Sequence, residues 1–194
     1  MNSMQLLSAY GHSWVDSTGA AEPQKFVAER VARKLGVTVK NCGVGGSLST
    51  ETAVLVTQGP VESSTVFLLM TGLNDARMFG PCQEPLRDYA QALDTIFRAF
   101  HQANSAGRVV VVQQPHLLDY SRFEPANKGS DAIVDAYNSV LVETAGKWVG
   151  VDVADVAGWD PHTMLDGDTV HPNHLGHEYL ANAVLDVITA RARP

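Results

Sequence analysis

The sequence predicts an α/β fold, a parallel sheet with helices packed on both faces. Three observations predict it. Strand-like and helix-like segments alternate five times along the chain, and because strand–helix–strand crossovers are right-handed, such alternation folds most economically into a doubly covered parallel sheet. Residues 65–70 and 108–113 are near-continuous apolar runs, the pattern of strands buried on both faces. Two strands end in glycine and small polar residues, at Gly11-His12-Ser13 and at Thr71-Gly72-Leu73-Asn74-Asp75, and that carboxyl edge is where open α/β sheets receive ligands.

The first strand is the apolar run that starts at Gln5 and stops at Gly11. After a polar loop, residues 22–35 read as a cover helix, with Phe26, Val27, Val31 and Leu35 at helical spacing and Gly36 just past the end. A β-branched strand at 37–41 leads into the glycine-rich turn 43–47, after which Ser49 or Thr50 caps a short helix through Thr57. The run 65–70 is the central strand. Residues 76–85 contain Phe79, Gly80, Pro81 and Pro85 and read as a loop. A helix then runs from Pro85 or Leu86 to Asn104, with Leu86, Tyr89, Ala90, Leu93, Ile96, Phe97 and Phe100 as its apolar stripe. Residues 108–113 form the clearest strand. The segment 114–129 lacks periodicity, contains two prolines and is long for a connection, which predicts a flap over the sheet edge. Ser130 caps a helix to Gly146 that turns Ile133, Val134, Tyr137, Val140 and Leu141 inward. A short strand at 147–153, an irregular stretch at 155–172 and a helix at 173–190 close the chain. With no repeat and no linker, residues 1–194 read as a single domain.

Composition excludes several functions. Hydrophobic residues make up 45% and charged residues 18% of the chain, as in ordinary globular proteins. A net charge of -7 leaves no basic footprint for a phosphate backbone, so nucleic acid is not an expected partner. No run is long enough for a membrane span, and the amino terminus lacks a signal peptide's charged start and apolar segment. The expectation is a soluble chain, cytoplasmic by default. Cys42 and Cys82 make no disulfide framework, although one bridge is compatible with the count.

Ser13, at the end of the first strand, is a candidate nucleophile. A serine hydroxyl needs an imidazole to take its proton and a carboxylate to orient that imidazole. Asp168-Thr169-Val170-His171-Pro172-Asn173 supplies both groups just before the last helix. Four separated pieces then resemble the SGNH hydrolases, the GDSL esterase and lipase family. They are Gly11-His12-Ser13-Trp14, Asn41-Cys42-Gly43-Val44-Gly45-Gly46, Gly72-Leu73-Asn74-Asp75, and Asp168 to Asn173 followed by Gly176. They stand in the family's order and span nearly the whole chain. Tyr137-Asn138 resembles a further, less specific family pairing.

The resemblance implies a three-layer α/β/α sandwich, flavodoxin-like, with five strands in the order 2-1-3-4-5. Gly46, Ser13 and Asn74 would then lie at the ends of adjacent strands. It implies a carboxylic ester hydrolase working through an acyl-enzyme. Ser13 would be the nucleophile, His171 the general base and then acid, and Asp168 its orienting partner. The backbone N–H groups of Ser13 and Gly46 and the Asn74 amide would hold the oxyanion. No cofactor and no metal are implied. The chain departs from the family at His12, which stands where aspartate is usual, and at Trp14, which replaces an aliphatic residue. Trp14 either packs beneath the loop or lines an acyl pocket.

Rival readings are weaker. His171, His174 and His177 recur every third residue, but a loop turning into a helix would splay them, which disfavours a metal. His174 and His177 are expected at the surface or in the first turn, and Asp166 is a rival to Asp168 at the wrong spacing. No Gly-x-Ser-x-Gly elbow occurs, which argues against an α/β-hydrolase. From another class, the fold could serve as a catalytically silent ligand- or carbohydrate-binding module. The expected partner is a small-molecule or glycan ester. Phe79, Met78, Leu117, Leu118, Tyr120 and Phe123, in the two loops flanking Ser13, are the candidate substrate contacts.

Overall fold

The computed structural model describes residues 5–190. Residues 1–4, over which the expectation of no signal peptide partly runs, lie outside the described residues. Five strands form one parallel sheet in the order β2-β1-β3-β4-β5. They are β1 (Leu6–Gly11), β2 (Thr38–Gly43), β3 (Val66–Met70), β4 (Arg108–Val112) and β5 (Val151–Ala154). The helices are α1 (Val27–Leu35), α2 (Ser49–Gln58), α3 (Leu73–Phe79), α4 (Gln83–Ala103), α5 (Asp131–Ala145), α6 (Pro161–Met164) and α7 (His174–Ala190). The helix α1 packs on α7, whereas α2, α4 and α5 pack as a row, α4 in the middle. The predicted three-layer α/β/α sandwich and its strand order are therefore correct.

The core explains the apolar runs. Every residue of β3 is buried, as are Val109 to Val112 of β4. The α4 stripe closes on them, with the Phe67 and Phe100 rings stacked at 4.7 Å. Each such side chain contributes about 1.5–3 kcal/mol by leaving water. The edge strand β2, only half buried, alternates less clearly.

Several boundaries differ from expectation, each for a local reason. The predicted loop 76–85 is mostly helical. The chain forms α3 immediately after β3, stops at Gly80 with φ +65°, and re-enters helix at Gln83. Pro85 stands in the first turn of α4, where its missing N–H costs no bond. The predicted helix 22–35 is a 3₁₀ turn at Pro23–Lys25 followed by α1, because Phe26 between them is extended. The cap of α2 is neither Ser49 nor Thr50. The Leu48 N–H donates to the Glu51 carboxylate at 2.8 Å, and Ser49 is the first helical residue. Residues 147–150 form a turn, so the last strand is Val151–Ala154, and α6 interrupts the stretch read as irregular. Ser130 does cap α5, accepting from the Ile133 N–H.

Register sets up the functional edge. Gly11 of β1 lies opposite Gly43 of β2 and Met70 of β3. The chains leaving β1, β2 and β3 thus start level with one another, carrying Ser13, the glycine turn and Asn74 to one crevice.

Candidate active site

Ser13 stands on a tight turn just past β1, where the Val15 and Asp16 N–H groups both donate to the His12 carbonyl. His171 comes from the opposite end of the chain. Its loop is pinned by the Leu165–Pro172 bridge and by Asn173, whose side-chain Oδ1 accepts the Leu175 and Gly176 N–H groups at the start of α7. The Ser13 Oγ and His171 Nε2 are 3.1 Å apart, and His171 Nδ1 and Asp168 Oδ2 are 2.6 Å apart. With a carboxylate accepting at Nδ1, Nε2 is left to accept the serine proton. The other oxygen of Asp168 accepts the Val170 and His171 N–H groups, each at 2.9 Å. Burial works to raise the Asp168 pKa, but these bonds and His171 outweigh it and hold the carboxyl below its ordinary value. Thr169, between the two, has φ +68°, an uncommon conformation for a β-branched residue, in the turn that brings Asp168 onto the ring. Asp166 gives its N–H to the His171 carbonyl and its side chain is exposed, so it is not the partner of the imidazole.

The candidate donors lie on the chains leaving the same sheet edge, tied to Gly11 and Ser47. The turn 44–47 closes with Ser47 N–H donating to the Val44 carbonyl, and Gly46 within it has φ +76°, which favours glycine. Asn74, 8% exposed, donates one amide hydrogen to the Ser47 carbonyl at 3.0 Å, and no acceptor among the described residues takes the other. Among the described residues, no acceptor takes the Ser13 or Gly46 N–H. Asp75 ties α3 to the start of α2, accepting from the Ser49 N–H at 3.0 Å and from its hydroxyl at 2.6 Å. Burial raises the Asp75 pKa and the Ser49 bonds oppose that.

His12 solves the bracing that an aspartate would otherwise supply. It is 1% exposed. The Trp14 N–H donates to its Nδ1 at 3.3 Å, so the proton sits on Nε2, which donates to Gln114 Oε1 at 2.7 Å. Gln114 is itself fixed by Nε2 on the Val112 carbonyl and by two bonds with Asn138, its N–H on the amide oxygen and its carbonyl accepting from Nδ2. Asn41 adds a second brace from β2, donating to the Val15 carbonyl at 2.7 Å, and Asp16 accepts the Gly45 N–H at 2.9 Å. Sequence reasoning missed Gln114 and Asp16, and quoted Asn41 within the second block without its contact to Val15. The signal for Gln114 was its place just past β4, at the same edge as Ser13.

The candidate substrate contacts divide. Trp14 is 1% exposed and stacks on Trp159 at 5.5 Å, which is packing beneath the loop and leaves no face for an acyl pocket. Leu117 is also buried. Phe79 and Leu118 are exposed, and the Phe123 ring meets the His171 ring edge-on at 6.0 Å. His177 stands in the first turn of α7, as expected, and is buried against Phe26, while His174 is exposed beside Arg30. Cys42 and Cys82 are both free.

Fold and site together define a class: a doubly covered parallel sheet carrying a serine–histidine–aspartate hydrogen-bond chain at its carboxyl edge. The chain belongs to the GDSL-like lipase/acylhydrolase family, whose sequence pattern matches residues 9–179. No curated protein sequence matches it. Among solved structures, a lipolytic G-D-S-L family member from Veillonella parvula aligns with TM-score 0.67 and 18% identity, over 95% of this chain and 98% of that one. TesA aligns with TM-score 0.68 and 16% identity, over 96% and 99%. Axe2, an acetyl-xylooligosaccharide esterase from Geobacillus, aligns with TM-score 0.66 and 19% identity, over 96% and 94%. At such identities the likeness is one of fold. Among the described residues, no helix is long and apolar enough to cross a membrane.

Proposed function

We propose that the protein hydrolyses carboxylic esters through an acyl-enzyme formed on Ser13. The observation that carries this reading is the unbroken chain Ser13 Oγ, His171 Nε2, His171 Nδ1, Asp168 Oδ2, with links of 3.1 and 2.6 Å. Ser13 Oγ attacks the ester carbonyl carbon and gives its proton to His171 Nε2, while Asp168 holds the ring and stabilises the imidazolium. The oxyanion takes hydrogen bonds from the Ser13 and Gly46 N–H groups and the free hydrogen of the Asn74 amide. His171 returns the proton to the departing alcohol oxygen as the carbon–oxygen bond breaks. Water then repeats the sequence on the acyl-enzyme and releases the acid. No step calls on a metal or cofactor.

A fluorophosphonate probe tests the nucleophile: wild type labels and Ser13→Ala does not. Absence of labelling on folded wild type overturns the reading in favour of a binding module. Chain length is read from p-nitrophenyl esters from acetate to palmitate. Acetylated carbohydrates belong beside them, because a structural neighbour is an acetyl-xylooligosaccharide esterase.

A further inference from the structure

Arg77, on α3 three residues past Asn74, is 4% exposed. Its Nη2 donates to the Arg122 carbonyl at 2.7 Å, and no carboxylate among the described residues pairs with it. Its Nε is sealed from solvent with no acceptor; Nη1 also lacks an acceptor among the described residues but is not sealed. A guanidinium does not give up its proton in a protein, so one held largely out of water with no carboxylate bonded to it has its charge compensated only through space, and that is costly. Burial lowers the Arg77 pKa, with Tyr120 and Asp168 opposing the shift through space.

The flap brings this charge to the crevice. Arg122, whose carbonyl takes Nη2, is followed by Phe123, whose ring lies against His171. The Arg77 carbonyl accepts the Lys128 N–H at 2.8 Å. A side chain on Gly129 would strike the Tyr120 ring at 2.6 Å and the Arg77 stem at 3.1 Å. Arg77 therefore lies under the flap, on the side where the flap meets the imidazole. Arg122 and Lys128 are exposed on that flap. Three cationic residues thus stand on or under this flap in a chain whose net charge is -7. The flap's own acids are engaged locally: Asp119 accepts from the Ser121 N–H and hydroxyl, and Glu124 accepts from Asn127.

We propose that the crevice takes esters bearing a second, ionised carboxylate, and that Arg77 receives this carboxylate beneath the flap while Ser13 meets the ester carbonyl. The proposal deepens the ester-hydrolase reading and rests on it. The guanidinium fork matches a planar carboxylate in shape and charge, and the unused hydrogens of Nη1 and Nη2 are the ones a ligand would meet.

The experiment compares ethyl butyrate with monoethyl succinate, which differ chiefly in the added carboxylate. Wild type should favour monoethyl succinate by about tenfold to a hundredfold in kcat/KM, the worth of a charge-assisted hydrogen bond. Arg77→Gln should abolish the preference, slowing monoethyl succinate far more than ethyl butyrate, and Arg77→Lys should keep part of it. Equal wild-type rates on the two esters overturn the proposal. An Arg77→Gln that slows both esters alike also overturns it, because Arg77 would then only latch the flap. Calorimetric titration of monoethyl succinate into Ser13→Ala, with and without Arg77→Gln or Arg77→Lys, reads the subsite without turnover. Binding lost with the arginine supports the subsite even if neither ester is hydrolysed, a result that would sink the hydrolase reading instead. No binding to Ser13→Ala overturns the subsite.

Discussion

The Nε2 of His12 lies 2.7 Å from Oε1 of Gln114, joining the turn that bears Ser13 to the end of β4 through a buried bond between residues 102 positions apart. Its Nδ1 meanwhile accepts the Trp14 N–H, so a single neutral ring satisfies a backbone donor and a side-chain acceptor that are both out of water. His12→Ala orphans both. It should lower stability by about 2–4 kcal/mol, the cost of two unmet polar groups and a small cavity, read by denaturant unfolding. Since the same turn carries Ser13, kcat should fall more than KM rises. An unchanged unfolding midpoint would mean that the brace carries no energy.

Asn74 touches the glycine turn and the crevice with the two hydrogens of one amide. Asn74→Ala should reduce kcat by about 10²–10³, as expected on losing one oxyanion donor, and leave labelling of Ser13 slower but present. Asn74→Asp should be at least as damaging, because it puts an acceptor and a charge where the proposed oxyanion would form. Steady-state kinetics on a single p-nitrophenyl ester decides both.

Asp168 accepts three hydrogen bonds within one turn, two from backbone and one from His171. Asp168→Asn keeps the size but puts a donor opposite Nδ1, which favours the tautomer with its proton on Nε2, unable to take the serine proton. A fall in kcat of about 10³–10⁴ should follow, with little change in unfolding midpoint if the side-chain oxygen keeps the Val170 and His171 N–H groups. A variant with near wild-type kcat would show that the imidazole is oriented by other means.

What the sequence could say about this molecule follows from which signals are local. The apolar runs of β3 and β4 and the stripe of α4 are periodic within themselves, so they were legible, as was the order of motifs that placed Ser13, Gly46, Asn74 and the Asp168–His171 pair. The short helix α3 was not, because its seven residues lie between Gly72 and Gly80, punctuation that reads as loop. The 3₁₀ turn before α1 was lost for the opposite reason: apolar spacing continued through Phe26 although its backbone is extended. His12–Gln114 and Asn41–Val15 are contacts between distant stretches, and no spacing rule reports a partner of that kind. Trp14 shows the same limit, since its burial depends on Trp159.

Gly11 shows how tightly the functional edge is built. A Cβ at this position would stand 1.8 Å from the Met70 carbonyl oxygen on β3, and the backbone has φ +136°. Gly11→Ala must therefore push β1 from β3 at the point where the crevice begins. A cost above about 4 kcal/mol is expected, a large part of the 5–15 kcal/mol that ordinarily holds a domain together. Gly36, with φ +69° but nothing within 4 Å of its Cβ, provides the control. Gly36→Ala should cost only about 1–2 kcal/mol, the left-handed penalty alone. Comparable unfolding midpoints for the two variants would contradict the close approach at Gly11.

Buried histidines should make the fold sensitive to mild acid. Burial pushes the pKa of His12 down to about 4, the Gln114 bond opposing and His171 and Arg77 assisting. Burial also pushes His177 down to about 4, helped by Arg30, His171 and His174. Both folded values lie below the unfolded value of about 6.5, so the unfolded chain binds more protons between these limits and stability falls as pH falls through that window. The full contribution is present above about pH 6.5. Each histidine sets a slope of up to about 1.4 kcal/mol per pH unit. Asp75, whose pKa is raised, works in the other direction, whereas Asp16 and Asp168, whose pKa values are lowered, act only near and below the usual carboxylate range. The difference between proteins isolates one histidine from this sum. His177→Leu, beside Phe26, should remove about half of the histidine slope when denaturant unfolding is followed at pH 7, 6 and 5. Parallel pH dependences for wild type and His177→Leu would show that His177 does not titrate with folding.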